Sequence, residues 1–152
     1  MTPTPESRQP KAESQQVAER VVKGMLAKDA FSEWLGIEAV EIAPRRSVLR
    51  MTVRKEMVNG FGVAHGGIVY SLADSALAFA CNTRGTINVA IENSIGYPAP
   101  VHVGDVLTAV ATMDSETSRL SFYRIIVINQ KDAVVATFRG TTYDTKREHV
   151  AE

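Results

Sequence analysis

The sequence predicts a single α+β domain in which a curled antiparallel sheet of about six strands wraps around one long buried helix, with an extra N-terminal helix. Three observations lead to this prediction. The chain has 152 residues, enough for one substantial core. One segment, residues 65–85, is apolar around most of a helix surface, as a helix buried on most sides must be. Six further stretches are rich in β-formers and are bounded by turn residues.

The N-terminal part of the chain is predicted to be a disordered tail, residues 1–13, followed by a helical segment, residues 14–35. The tail is polar and contains three prolines. The helix is predicted from apolar residues at spacings of three and four, with Ser14 as a candidate cap: Ala18, Val21, Val22, Met25 and Leu26. A short second turn should end at Gly36.

The folded domain is predicted to cover residues 36–145, with a C-terminal tail at 146–152. Its strands are expected at residues 37–42, 48–53, 87–97, 106–113, 120–129 and 133–144. The last four are separated by short links, which favour antiparallel neighbours. Because one helix cannot cover both faces of such a sheet, an outer face or an edge is expected to pair with another copy of the chain.

Composition excludes several classes of function. Lys plus Arg and Asp plus Glu both total 17, so bulk charge gives no reason to expect a nucleic-acid or membrane partner. The one cysteine, Cys81, excludes an internal disulfide and suggests a reducing, cytoplasmic location, and no secretory leader is recognisable. The three histidines lack metal-ligand spacing, so neither a metal nor a cofactor is expected.

Asp74 is the residue that most suggests chemistry. It lies in the middle of the apolar helix, where an unpaired carboxylate is costly to bury and no basic residue is placed to pair with it. One interpretation is a solvated side chain on a narrow polar stripe with Tyr70 and Ser71. The other is a carboxylate that lines a pocket and acts as general base or nucleophile.

The start of the same helix carries His65, Gly66 and Gly67. The first N–H groups of a helix lack acceptors within the helix, and glycine lets a substrate carbonyl group come close, so this turn is a candidate oxyanion hole. It is equally the pattern of an ordinary loop–helix junction. His65 either bonds to the backbone or contacts an acyl group. Asn59 either forms a turn with Gly60 or orients substrate or water.

These residues resemble the phenylacetic-acid-degradation (PaaI-like) family of hotdog acyl-CoA thioesterases. The resemblance covers about residues 31–143 and rests on Asn59-Gly60, His65-Gly66-Gly67, Ser71-Leu72-Ala73-Asp74, Ala80-Cys81-Asn82, Pro100 with Gly104-Asp105, and Phe138-Arg139-Gly140. It implies a hotdog fold, a homodimer that often pairs into a tetramer, and hydrolysis of acyl-CoA thioesters, commonly aromatic ones such as phenylacetyl- or hydroxyphenylacetyl-CoA. Gly96 departs from the larger or polar residue expected there.

By motif match, the resemblance implies that Asp74 is, or activates, the nucleophile and that the Gly66 N–H group polarises the thioester carbonyl. His65, Asn59 and Gly67 would then contact the substrate. Two other functions remain open: a hotdog dehydratase or hydratase that uses His65, and a non-catalytic acyl-CoA-binding protein.

Overall fold

The structure is a computed structural model that describes residues 9–150, with side chains from residue 14 onward. The helices are α1, Gln9–Lys28; α2, Ala30–Leu35; and α3, Gly66–Asn82, with a 3-10 turn at Lys55–Met57. The strands are β1, Glu38–Ala43; β2, Arg46–Thr52; β3, Thr86–Gly96; β4, Val106–Glu116; β5, Leu120–Ile128; and β6, Val134–Glu148. The predicted order of an N-terminal helix with a short second turn, two strands, a buried helix and four strands is confirmed.

Two element boundaries differ from the sequence-based expectation. Helix α1 begins at Gln9, so residues 9–13 are helical and Ser14 lies inside the helix; the rest of the predicted tail, residues 1–8, is outside the described residues. Pro10 permits this early start, because the first turn of a helix needs no N–H donor. Strand β6 continues to Glu148, into the predicted C-terminal tail, because Glu148 pairs with Thr86 of β3.

The six strands form one antiparallel sheet in the order β1-β2-β4-β5-β6-β3. The short links correctly predicted that β4 pairs with β5 and β5 with β6, but the expectation that β3 and β4 are neighbours was wrong. Residues 97–105 instead carry the chain from β3, at one edge of the sheet, to β4, which lies between β2 and β5. Val101 O accepts from Ala64 N at 2.7 Å and Asp105 O from Val53 N at 2.9 Å, so backbone bonds hold this crossing link beside the start of α3.

Helix α3 fills the concave face of the sheet, as the nearly all-round apolar pattern predicted. Leu72, Leu77 and Phe79 are almost completely buried, and burial of such a side chain contributes roughly 1.5–3 kcal/mol. The facing side chains come from alternate positions of β2, β4, β5 and β6, among them Leu49, Met51, Leu107, Ala109, Ile125, Val127 and Phe138. None of the helices in the described part of the chain carries an apolar stretch long enough to cross a bilayer.

Strand β3 is an edge strand whose inner side meets α3. Asn93 lies opposite Gly140 of β6, and Ile95 lies opposite Phe138. A Cβ atom on Gly140 would be 2.3 Å from Leu77 Cδ2 and 2.9 Å from Asn93 Oδ1. Glycine at 140 therefore leaves the space in which a helix side chain and a β3 side chain both fit.

We predict that Gly140→Ala lowers the free energy of unfolding by about 1–3 kcal/mol, the usual cost of an overpacked core. Urea unfolding followed by circular dichroism measures this. Gly24→Ala is the matched control, because a Cβ there meets no atom within 4 Å and α1 favours alanine. Equal stability of Gly140→Ala and the wild type would show that the contact at Gly140 is not tight.

Candidate active site

The first turn of α3 leaves one backbone donor without a partner. His65 is the N-cap residue, and its Nδ1 atom accepts a hydrogen bond from the Gly67 N–H group at 2.9 Å. The His65 and Ile68 N–H groups bond to the backbone oxygens of Met57 and His65. Within residues 9–150, the Gly66 N–H group has no acceptor. Gly66 is therefore the donor of this turn that remains available to a ligand, whereas His65 and Gly67 satisfy each other.

Tyr97, just after β3, packs against this turn. Its hydroxyl donates to Gly66 O at 2.8 Å, and a Cβ on Gly66 would lie 3.2 Å from the tyrosine ring. Burial raises the pKa of Tyr97, with a smaller contribution from Tyr70. Glycine at 66 thus leaves room for the Tyr97 ring. The sequence carried no signal for this contact, because 31 residues separate the two positions.

Asp74 lies two turns further along α3 and is half-buried. Its Oδ1 atom accepts a hydrogen bond from Asn93 Nδ2 at 3.0 Å. Within the described chain, Asp74 forms no ion pair and its Oδ2 atom has no hydrogen-bond partner. Burial raises the pKa of the Asp74 carboxyl group above its ordinary value, and the hydrogen bond from Asn93 opposes this effect.

The partner of Asp74 was missed from sequence. Asn93 Nδ2 also donates to the Tyr70 hydroxyl at 3.0 Å, so one amide group joins both side chains. The Tyr70 ring packs edge-on against Phe138, with ring centres 5.3 Å apart. A signal for Asn93 was present: it is a polar residue two positions before Ile95, on the inner face of its strand. Asn93 can be recognised as the partner of Asp74 only when the fold shows that β3 packs against α3.

Asn59 has a turn role within the chain. Its Oδ1 atom accepts from the Phe61 N–H group at 2.9 Å, and its backbone bonds to Gly62 and Val63. The turn exposes 93% of Phe61. The structure records no hydrogen bond between Asn59 and Asp74 or Gly66, so one chain does not join this predicted site residue to the others.

Gly66 and Asp74 lie on one uninterrupted helix. Eight residues at 1.5 Å each separate them by roughly 12 Å along its axis. A donor and a nucleophile acting on one carbonyl group must each come within about 3 Å of it. One copy of α3 therefore supplies either group to a given carbonyl, but not both.

Two cavities lie away from these residues. One, of about 740 Å³, lies between the C-terminal half of α1 and residues 84–87 with 148–150. The other, of about 520 Å³, lies on the outer face of the sheet beside Gly96, Arg124 and Arg139. Neither is lined by Asp74 or Gly66, so neither is assigned to the candidate site.

Comparison with known proteins identifies the family of the chain. A sequence profile described as the thioesterase superfamily matches residues 61–136. The chain is 38% identical over 119 residues to the acyl-coenzyme A thioesterase PaaI of Escherichia coli, covering 78% of this chain and 85% of the relative. It is 30% identical over 113 residues to human acyl-coenzyme A thioesterase 13, covering 72% of this chain and 81% of the relative.

Solved structures agree as well. The E. coli PaaI protein of the phenylacetic acid degradation operon superposes with a TM-score of 0.86 at 34% identity, covering 88% of this chain and 97% of that chain. A mutant of the phenylacetic acid degradation protein PaaI from Thermus thermophilus superposes with a TM-score of 0.74 at 37% identity, covering 76% and 99%. The predicted hotdog fold and the resemblance to PaaI-like proteins are confirmed, and the chain belongs to the thioesterase superfamily.

Proposed function

We propose that this enzyme hydrolyses acyl-CoA thioesters, preferentially aromatic ones such as phenylacetyl- or hydroxyphenylacetyl-CoA, to the free acid and CoA. The half-buried Asp74 carboxylate, with one oxygen held by Asn93 and the other unpartnered, is the observation that carries the proposal. The acyl class is supported by the relatives whose names refer to phenylacetic acid degradation. A cytoplasmic location remains a prediction.

In this mechanism the Gly66 N–H group binds the thioester carbonyl oxygen. It has no acceptor in the described chain, and the helix dipole favours the negative charge that develops on that oxygen. Asp74 Oδ2 either attacks the carbonyl carbon to form an anhydride that water then hydrolyses, or removes a proton from a water molecule that attacks the carbonyl carbon. In both routes the carbon–sulfur bond breaks, and the CoA thiolate leaves and takes up a proton derived from the water molecule. Both routes need a charged carboxylate with a free oxygen, and partial burial makes such a carboxylate more basic.

His65 distinguishes this function from that of a hotdog dehydratase or hydratase. Its Nδ1 atom already accepts the Gly67 N–H group, so the neutral imidazole carries its proton on Nε2 and has no lone pair left to act as a base. Asp74 has no comparable structural hydrogen bond to Oδ2. The arrangement therefore favours a carboxylate mechanism over a histidine mechanism. His65, Gly67 and Asn59 remain proposed substrate contacts. His65 and Gly67 also hold the first turn of α3 in place through their hydrogen bond.

We further propose that the active site is shared in a homodimer. Strand β3 ends the sheet, and Val89 and Ile91 on it expose 45% and 57% of their surface. An exposed, apolar edge strand is a ready site for pairing with another copy. Two-fold pairing there sets two α3 helices antiparallel, with Gly66 of one chain near the partner subunit's Asp74. A homotetramer built from two such dimers is part of the proposal.

Asp74→Asn should lower kcat for phenylacetyl-CoA by ~10²-fold or more, the scale of a lost acid–base group. Asparagine keeps the shape and can still accept from Asn93, so the fold should persist. CoA release is followed with a thiol-reactive dye. His102→Ala is the control, because His102 is exposed and its backbone N–H group bonds to Asp105; its kcat should equal that of the wild type.

Three results would contradict this proposal. Near-normal kcat in Asp74→Asn would remove Asp74 from the mechanism. Tight binding of acyl-CoA by the wild type without CoA release across a panel of acyl groups would indicate a binding protein. Hydration of an enoyl-CoA without thioester cleavage would indicate a hydratase.

The shared site is tested by mixing two inactive variants, Asp74→Asn and Gly66→Pro. Proline removes the N–H group at a helix start that tolerates it, and His65 already has the extended backbone that proline requires before it, with φ −59° and ψ 134°. In a mixed dimer one site has both groups intact and the other has both lesions. With random exchange, roughly a quarter of all sites should regain activity.

Gly66→Ala is the matched control for this experiment, because it keeps the N–H group while adding a Cβ beside Tyr97. It should retain far more activity than Gly66→Pro. The shared site is excluded if native mass spectrometry shows mixed dimers whose activity stays at the level of the parent variants.

A further inference from the structure

The side-chain amide of Asn93 is held in one orientation by its surroundings. Both hydrogens of Nδ2 are used, one by Asp74 Oδ1 and one by the Tyr70 hydroxyl, each at 3.0 Å. The reverse orientation would place Asn93 Oδ1 against a carboxylate oxygen, and two acceptors repel. The charge on Asp74 therefore fixes the amide, and the amide in turn fixes Asp74.

The other end of the amide is left without a partner at a cost to stability. Asn93 Oδ1 is completely buried and has no hydrogen-bond partner among the described residues. It points toward Gly140, where an added Cβ would lie only 2.9 Å away. Buried acceptors are almost always paired, and exceptions in folded proteins concentrate where function requires them. The unpaired oxygen is the consequence of directing both N–H groups into the active site.

Within residues 9–150, no cation helps Asn93 to stabilise the charge on Asp74. Among the described residues, the ionisable groups that interact with Asp74 or with the Asn93 amide are Tyr70 and Cys81 on α3. Burial raises the pKa of the Cys81 thiol to about 12, so this thiol carries no charge at neutral pH. Strand β6 contributes uncharged residues, Gly140 opposite Asn93 and Thr142 beside Cys81. In residues 9–150, Asn93 is thus the donor that stabilises the charged form of Asp74.

We propose that Asn93 is a positioning residue for Asp74: it binds Oδ1, keeps the carboxylate charged, and thereby selects Oδ2 as the oxygen that reacts. This inference rests on the proposed role of Asp74. Among the described residues, Oδ2 has no hydrogen-bond partner and is not completely buried. A substrate or a water molecule can therefore reach it. Asn93 itself need not touch the thioester.

Loss of the Asn93 hydrogen bond should raise the pKa of Asp74, because two opposing influences set that pKa. Burial raises the pKa of this carboxyl group and the Asn93 hydrogen bond lowers it. Without the donor, burial acts unopposed and the pKa rises further. The active, charged form then requires a higher pH, and the acid limb of kcat/KM moves to higher pH.

Asn93→Asp and Asn93→Leu test the proposal. Aspartate has the same shape as asparagine but replaces the donor with an acceptor that repels Asp74, whereas leucine has a similar size and no polar atom. On the acid limb, kcat/KM for phenylacetyl-CoA should fall about tenfold to a hundredfold in Asn93→Leu and further in Asn93→Asp, the scale of one hydrogen bond to a charged group. At the alkaline plateau the loss in Asn93→Leu should be much smaller.

Ser94→Ala is the matched control, because Ser94 is the next residue on β3, pairs with Arg139 and is exposed on the outer face. Its acid limb should coincide with that of the wild type. A merely structural role for Asn93 predicts that Asn93→Leu, which differs most in polarity, perturbs the enzyme most and lowers kcat/KM equally at all pH values. The proposal predicts that the isosteric Asn93→Asp has the larger effect, and that the loss of kcat/KM in both variants is greatest at low pH.

The protonation of Asp74 is measured directly by infrared spectroscopy, as the carboxyl band lost in matched Asp74→Asn samples across pH. This titration should move to higher pH in both Asn93 variants without any turnover being observed, and an unmoved titration overturns the proposal. If Asp74→Asn is fully active, the proposed catalytic role of Asp74 fails, yet the infrared titration still decides whether Asn93 holds Asp74 in its charged form. Should Asn93→Leu fail to fold, the isosteric Asn93→Asp decides alone.

Discussion

A carboxylate placed among apolar side chains in the middle of a helix must be stabilised by whatever the fold brings to it. For Asp74 the structure provides one hydrogen bond, from Asn93 on β3. That bond depends on the sheet order, which places β3 beside β6 at the edge next to α3. It depends equally on Gly140, whose missing Cβ leaves room for Leu77 and Asn93 together. The reactivity proposed for Asp74 thus depends on how α3, β3 and β6 pack together.

The first turn of α3 is likewise held by a few hydrogen bonds. His65 satisfies the Gly67 N–H group, and Tyr97 binds Gly66 O, while the Gly66 N–H group has no acceptor in the described part of the chain. The turn is rigid because its other polar groups are bonded, and a rigid unpaired donor is what an oxyanion hole requires. The distance between this donor and Asp74 along one helix then makes a second copy of the chain a geometric requirement of the proposed chemistry.

Much of the fold was predictable because periodicity reports burial. The all-round apolar pattern of residues 65–85 located α3, and β-rich stretches located the six strands. Strand order was less predictable. The short link after β3 suggested that β3 and β4 are neighbours. Hydrogen bonds from the backbone N–H groups of Ala64 and Val53 instead hold this link where it crosses to β4. Such bonds between distant segments leave no local pattern in the sequence. The helical start at Gln9 was missed because prolines suggested a tail, although Pro10 suits a first turn.

The site was predictable to the same degree. Asp74 and Gly66 are conspicuous in the sequence, because one is a charge in an apolar run and the other is a glycine at a helix start. Asn93 and Tyr97 act through partners 19 and 31 residues away, and only the fold makes those pairs. Asn59 and His65 were expected to contact substrate; within one chain they shape a turn and cap a helix.

The most direct test is a crystal structure of the protein with a non-hydrolysable phenylacetyl-CoA analogue that keeps the carbonyl group and replaces the sulfur atom by a methylene group. The proposed mechanism predicts a carbonyl oxygen about 3 Å from the Gly66 N atom of one protomer. The partner subunit's Asp74 should place Oδ2 about 3–3.5 Å from the carbonyl carbon, or reach it through one water molecule. A carbonyl group bound away from Gly66, or an Asp74 that faces it only through Oδ1 or not at all, would contradict the mechanism.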